Sequence, residues 1–280
     1  MITLSLLLAA IVGNAHASAD APLPSIIVRD GRFVVRETGT AFRPVGFNYI
    51  RLFNEKRTAD HDNFSPTGYD AAEHEAMLRR LAAGGFNTVR VFINFQPGEV
   101  IDRRDSTELS SVYLDNVSDF LARAREHAVY VMLSMRRHPE LSRYRDLRGP
   151  PHSMVTGENR RFLHSGWIRS KATYLQDFLA ELLTRDPRAL AAVFAIDIQN
   201  EVCFYPGHAP FDQTEGIFAA PNGRSYDLAT QKQELADEGG IHHINMCADA
   251  VHKVFPGVLI NVNVFTYAAV GRTGPDDFHL

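Results

Sequence analysis

The chain has 280 residues, 45% hydrophobic and 22% charged, a globular composition that excludes a disordered or fibrous protein. Lys and Arg number 29 against 33 Asp and Glu, a formal net charge of -4, which leaves no cationic excess to hold phosphate backbones and argues against nucleic acid as a partner. Two cysteines, Cys203 and Cys247, are too few for a disulfide scaffold and lack the CxxC or CxxH spacing of a zinc site, so stability rests on a buried core.

The chain opens with an apolar run, Ile2 to Gly13, followed by Ala15-His16-Ala17, small residues at the positions a signal peptidase reads. The run is too short to span a bilayer, which takes about 20 apolar residues. It predicts a signal peptide over residues 1–17, cleaved after Ala17, and a secreted or periplasmic protein without stable membrane insertion. The basic residue that usually precedes such a run is absent. Residues 18–43 are expected to form a linker and a β-hairpin. In the hairpin, Ser25 to Val28 and Arg32 to Val35 are joined through Asp30-Gly31, a pair that tolerates the positive φ angles of a tight turn.

From there strand-like runs alternate with amphipathic helical stretches, the pattern of a parallel sheet covered by helices. Five core strands are predicted: Pro44 to Ile50, Phe86 to Ile93, Val129 to Met135, Val193 to Gln199 and Val258 to Phe265. A helix over Tyr69 to Ala83 carries Ala72, Ala76, Leu78 and Leu81 and stops at Gly84-Gly85. Val112 to His127 repeats the logic with Leu114, Val117, Phe120, Leu121 and Ala124. Longer helices are expected over Trp167 to Thr184, ending at Asp186-Pro187, and over Ile241 to Phe255, ending at Pro256-Gly257.

Strand parity adds a second layer. In Phe86 to Ile93, Val89, Val91 and Ile93 share one face, while Thr88, Arg90 and Phe92 share the other. A charge inside a buried strand needs a partner or a cavity. In the last strand Asn261 and Asn263 form a polar face, with Leu259 read as lying off it. A barrel interior that turns polar toward one end accounts for both strands.

Four stretches resemble clan A glycoside hydrolases, most closely the family 5 cellulases and mannanases. They are Gly39-Thr40-Ala41-Phe42-Arg43-Pro44-Val45-Gly46-Phe47-Asn48-Tyr49, Leu81 to Val91 through Gly84-Gly85-Phe86-Asn87-Thr88-Val89-Arg90, Ala128 to Leu133, and Ala192 to Glu201, which ends in Gln199-Asn200-Glu201. The resemblance implies a (β/α)8 TIM barrel, here an N-terminal portion with about five of eight βα units over residues 44–280. It implies retaining hydrolysis of a β-linked polysaccharide or oligosaccharide, with no metal and no organic cofactor.

By that resemblance Glu201 is the acid/base. A glycosidic oxygen is a poor leaving group that must be protonated as its bond breaks, and the same carboxylate then activates water. Asn200 matches the asparagine that meets the sugar 2-hydroxyl, and Arg90 the arginine that orients the nucleophilic carboxylate. His138, Asn48 and Tyr49 are further candidates for the sugar pocket. Adjacent strand residues point apart, so Asn200 and Glu201 can share a site only if the chain turns or bulges there. Arg90 also suits an ion pair with Asp197, a role compatible with the first. Trp167, Phe265 and Tyr267 read either as cleft aromatics or as packing.

Retaining chemistry requires a second carboxylate about 5 Å from the first, which the family places at the end of strand seven. No such position is present. Glu215, Glu234 and Glu238 fall in a loop or before or early in the last helix and are poor substitutes. The expectation is a portion of a longer enzyme, inactive by itself; the alternative is a non-catalytic, carbohydrate-binding protein derived from the barrel, and a β-galactosidase-like member of the clan is a third reading. Oxidoreductase and phosphotransferase readings have little support, since there is no phosphate-binding glycine loop after the first strand, no HExxH pair and no GxSxG turn.

Overall fold

The computed structural model describes residues 23–51, 61–93, 107–135 and 137–263. The expected signal peptide, Phe265 and Tyr267 lie outside them. Ile26–Arg29 (β1) and Arg32–Val35 (β2) form the antiparallel hairpin. Asp30 and Gly31 both have positive φ, 50° and 71°, as a twisted two-residue turn requires.

The main sheet has five parallel strands, Gly46–Asn48 (β3), Thr88–Ile93 (β4), Tyr130–Met135 (β5), Val193–Asp197 (β6) and Leu259–Asn261 (β9), hydrogen-bonded in that order. Chain-sequential parallel strands joined through outer helices are the arrangement of a (β/α)8 barrel, of which five strands are described. Ala71–Ala83 (α1), Ser111–Glu126 (α2), Ser165–Arg185 (α5) and Lys232–Val254 (α6) are the principal helices. Among the described residues no helix is long and apolar enough to cross a membrane.

The largest core lies between the outer strand faces and these helices. Val89, Val91, Ile93, Val131, Leu133 and Ile196 meet Leu114, Val117, Phe120, Leu121, Phe178, Leu179 and Leu182, all essentially inaccessible. Each buried side chain of this size stabilises the fold by about 1.5–3 kcal/mol, so this layer carries most of the stability. A satellite core, including Phe162, Phe204, Phe211, Phe218 and Tyr226, packs under the long excursion after β6, which folds into a second hairpin, Ile217–Ala219 (β7) and Ser225–Asp227 (β8).

The inner face changes character along the strands. At the N-terminal end Tyr130, Phe194 and Ala195 pack with Ile26 of the first hairpin, and the Tyr130 hydroxyl donates to the Pro24 carbonyl at 2.8 Å. The hairpin thus closes the bottom. Further along the same strands, Ser134, four residues past Tyr130, and Asp197, two past Ala195, come to the same face, paired in register. Leu259 packs with the bottom cluster, so it lies on the same face as Asn261 at its lower end and not off it. Side-chain period two makes residues 259, 261 and 263 equivalent; the switch from apolar to polar runs along the strand.

Other expectations also need correction. The buried face of α1 is His74, Met77, Leu78 and Leu81, and Ala72 is exposed. His74 is tolerated because burial keeps it neutral, pushing its pKa down to about 4, and its Nε2 lies 3.2 Å from the Asn63 carbonyl. Helix α6 begins at Lys232, nine residues before the expected start, and runs straight through Gly239-Gly240. A Cβ on Gly239 would stand 2.4 Å from Leu163 Cδ2, so the glycine serves close helix packing and not a break. Leu163 ends Arg160–Leu163 (α4), which, with Ser142–Arg148 (α3), has no counterpart in the sequence reading.

Candidate active site

Arg90 projects from β4 into the polar end of the inner face, and three neighbouring strands supply its partners. Its Nη2 donates to Ser134 Oγ of β5 at 2.8 Å, to Asn200 Oδ1 just after β6 at 2.7 Å, and to Asp197 Oδ2 in a short ion pair. Its Nη1 lies 3.3 Å from Asn48 Oδ1 at the end of β3. Ser134 Oγ donates to the same Asp197 oxygen at 2.7 Å. The Asp197 side chain is 0% exposed and that of Arg90 14%. The guanidinium also stands 4.6 Å from the centre of the Phe92 ring.

A buried ion pair is held against its desolvation cost only when further hydrogen bonds satisfy it. Here four strand ends converge on one guanidinium. The pairing with Asp197 coexists with contacts to Asn200 and Asn48, although Arg90 Nε and Asp197 Oδ1 are buried without a partner among the described residues. Ser134 was missing from the sequence reading. Its signal was available: it shares the inward parity of Tyr130 and Met132, and it is a small hydroxyl among apolar residues.

Immediately after β6 the ladder to the next strand changes step. Ile198 N donates to the Asn261 carbonyl, Asn263 N to that of Gln199, and Val202 N to that of Asn263. A regular parallel ladder would give the last of these bonds to residue 200. Extra residues are thus inserted on the β6 side, and Glu201 takes φ 56°, the left-handed region that a non-glycine residue enters only under tertiary constraint. This is the turn that the Asn200-Glu201 pair requires. Asn200 is buried on Arg90, while Glu201 is exposed at the rim.

The remaining candidates separate. Asn48 joins the cluster. Tyr49 does not: it is 8% exposed in the main core, stacked on Phe120 at 6.4 Å and edge-on to His74 at 5.5 Å, because it has the opposite parity to Asn48. His138, just beyond β5, is half-buried with its ring edge-on to Trp167 at 5.4 Å; its buried Nε2 has no hydrogen-bond partner among the described residues, and burial first, then nearby cations, hold its pKa well below the usual value. Trp167 itself lies between two guanidinium groups, Arg148 at 4.4 Å and Arg160 at 4.9 Å.

Lys171 on α5, which the sequence reading did not single out, is wholly buried. Its Nζ donates to the Met135 carbonyl at the C-terminal end of β5 at 3.0 Å, and burial pushes its pKa down to about 8. Nearby, Cys247 is buried with Sγ 3.9 Å from His243 Nε2, and both it and Cys203 are free thiols. Glu234 and Glu238 sit on α6, where Arg224 pairs with both and Glu238 also accepts from the Tyr226 hydroxyl. They pin the second hairpin, away from the Arg90 cluster.

No family model matches this sequence, and no curated protein does. Solved structures are similar. An exo-β-1,4-mannosidase from Opitutaceae bacterium strain TAV5 superposes with a TM-score of 0.52 at 17% identity, over 85% of this chain and 34% of that one. An endo-1,4-β-mannanase from Eisenia fetida gives 0.50 at 16% identity, over 89% of this chain and 64% of that one. The chain thus spans about a third of the mannosidase and somewhat under two thirds of the mannanase. At these identities the likeness is one of fold, a (β/α)8 barrel spanned in part by this chain.

Proposed function

We propose that this chain forms part of a retaining glycoside hydrolase acting on a β-linked polysaccharide or oligosaccharide, with export through the N-terminal segment. The observation that carries the proposal is the strand-end cluster: Arg90 is fixed by Asp197, Ser134, Asn48 and Asn200, and Glu201 follows on a left-handed turn at the rim. Barrel enzymes place their chemistry at this end.

In this reading Glu201 protonates the leaving oxygen and then deprotonates the attacking water. The Asn200 carbonyl oxygen is engaged by Arg90, which leaves its amide NH2 to donate to a sugar hydroxyl. Arg90 is a positioning residue. It holds Asn200 and presents positive charge where a nucleophilic carboxylate approaches. That carboxylate comes from strands beyond the five described, and no candidate among Glu215, Glu234 and Glu238 replaces it.

The test extends the encoded chain beyond Leu280 and measures hydrolysis of aryl β-glycosides and β-mannan. The extended protein is expected to be active, the 280-residue chain inactive, and Glu201→Gln in the extended protein to lose about 10²–10⁴-fold in kcat. Wild-type activity in Glu201→Gln would eliminate the acid/base assignment.

A further inference from the structure

We propose that the chain carries a second ligand site, on the flank of the barrel, that takes the carboxylate of an acidic saccharide unit. It is a cleft of about 260 Å³ bounded by α3, α4 and the start of α5, and its lining includes Arg145, Arg148, Arg160, His152, His164 and Trp167 without a single carboxylate. The sequence between residues 143 and 169 contains six arginines against Asp146 and Glu158, a net charge of +4 in a chain whose total is -4. Local charge of this size and sign is not a property of the protein as a whole.

Three features make the cleft a binding site and not merely a solvated basic surface. First, the guanidinium groups are held in place. Arg148 and Arg160 flank the Trp167 indole at 4.4 and 4.9 Å, and Arg148 is further fixed by Glu140 at 2.9 Å and by the Pro139 carbonyl at 2.7 Å. Second, part of the positive charge is unneutralised. Arg143 pairs with Asp177 and Arg161 with Glu158, whereas among the described residues no carboxylate lies within ion-pair distance of Arg145 or Arg160. The 21-residue helix α5 also starts here, with His164 as its cap, and adds the positive end of its dipole. Third, the cleft continues. At the His152 and His164 rings, 5.8 Å apart, it meets a second one of about 250 Å³ floored by Val155, Leu163, Phe218 and Ala220. Planar guanidinium forks match a carboxylate, and an adjoining apolar floor suits the C–H face of a pyranose ring. The choice of a saccharide rests on the proposed function; the choice of an anion rests on the cleft alone.

Trp167 is the only tryptophan in the chain, so intrinsic fluorescence reports on this cleft without labelling. The 280-residue protein is titrated with digalacturonate, mannobiose and inorganic sulfate, by fluorescence and in parallel by calorimetry. Digalacturonate is expected to bind saturably and more weakly as salt is raised, with mannobiose at least about tenfold weaker. Arg160→Ala and Arg145→Ala, both at exposed positions, are each expected to weaken digalacturonate about tenfold while circular dichroism stays unchanged. Glu201→Gln is expected to bind it as the wild type does, which separates this site from the hydrolytic one. Equal affinity for mannobiose, absence of calorimetric binding, or an effect of neither arginine variant would overturn the proposal. So would sulfate binding as tightly as digalacturonate, which would mark an adventitious anion only.

Discussion

The two ends of the barrel interior are built from the same strands and do opposite work. At the bottom, Tyr130, Phe194, Ala195 and Leu259 meet the first hairpin in an apolar plug. At the top, two to six residues further along the chain, Ser134, Asp197 and Asn200 converge on Arg90. A plug of this kind tolerates imprecision, since dispersion and burial are spread over many weak contacts. A polar cluster does not: each buried group is either satisfied or a liability. Apolar packing and polar pairing are therefore divided along each strand and not between separate elements.

Four substitutions or conditions test this contrast. Asp197→Ala should cost about 3–5 kcal/mol, because it leaves the Arg90 guanidinium buried without its counter-ion, and it should release Asn200 as well; urea unfolding measures the first and binding of mannan oligosaccharides the second. Phe194→Ala should cost about 3 kcal/mol through a cavity at the bottom, with sugar binding by the folded fraction unchanged. A loss of binding there would mean the two ends are coupled.

The third test uses pH. The folded pKa of Lys171, about 8, is depressed from 10.5, so between these values the unfolded chain holds more protons than the folded one. Stability should therefore rise as pH increases from about 8 to 10.5, by at most about 3 kcal/mol, and Lys171→Met should abolish that rise. Chemical denaturation across this range reads it directly. The smallest effect is expected at the hairpin: Gly31→Ala forces a Cβ into φ 71° and should cost about 1 kcal/mol, with nothing changed at the Arg90 cluster.

The features legible in the sequence were those with period. The five strands and the outer helices announced themselves through alternation and helical spacing, and the parity of Arg90 against Val89 and Val91 pointed to an inward charge. Asn200-Glu201 became interpretable only through its place after a strand. What escaped was held by contacts remote in sequence. The segment around α3 and α4 is ordered by Asn159, whose side chain donates to the carbonyls of Tyr205 and His208 and accepts from Tyr205 N, a link no local pattern encodes. The helix expected from Ile241 starts at Lys232 and carries Gly239 in its interior, where glycine is usually costly, because Leu163 needs the space. Tyr49 was grouped with Asn48 by adjacency, although adjacent strand residues face opposite ways.

The hydrogen bond from Val202 to the Asn263 carbonyl has a temporal meaning. Glu201 is set by a partner that leaves the ribosome long after it does. While the nascent chain ends short of β9, residues 199–202 lack the neighbouring strand that Ile198 and Val202 bond to. The Glu201 turn therefore depends on a strand that follows it by some sixty residues, and a chain ending short of Asn263 lacks that partner.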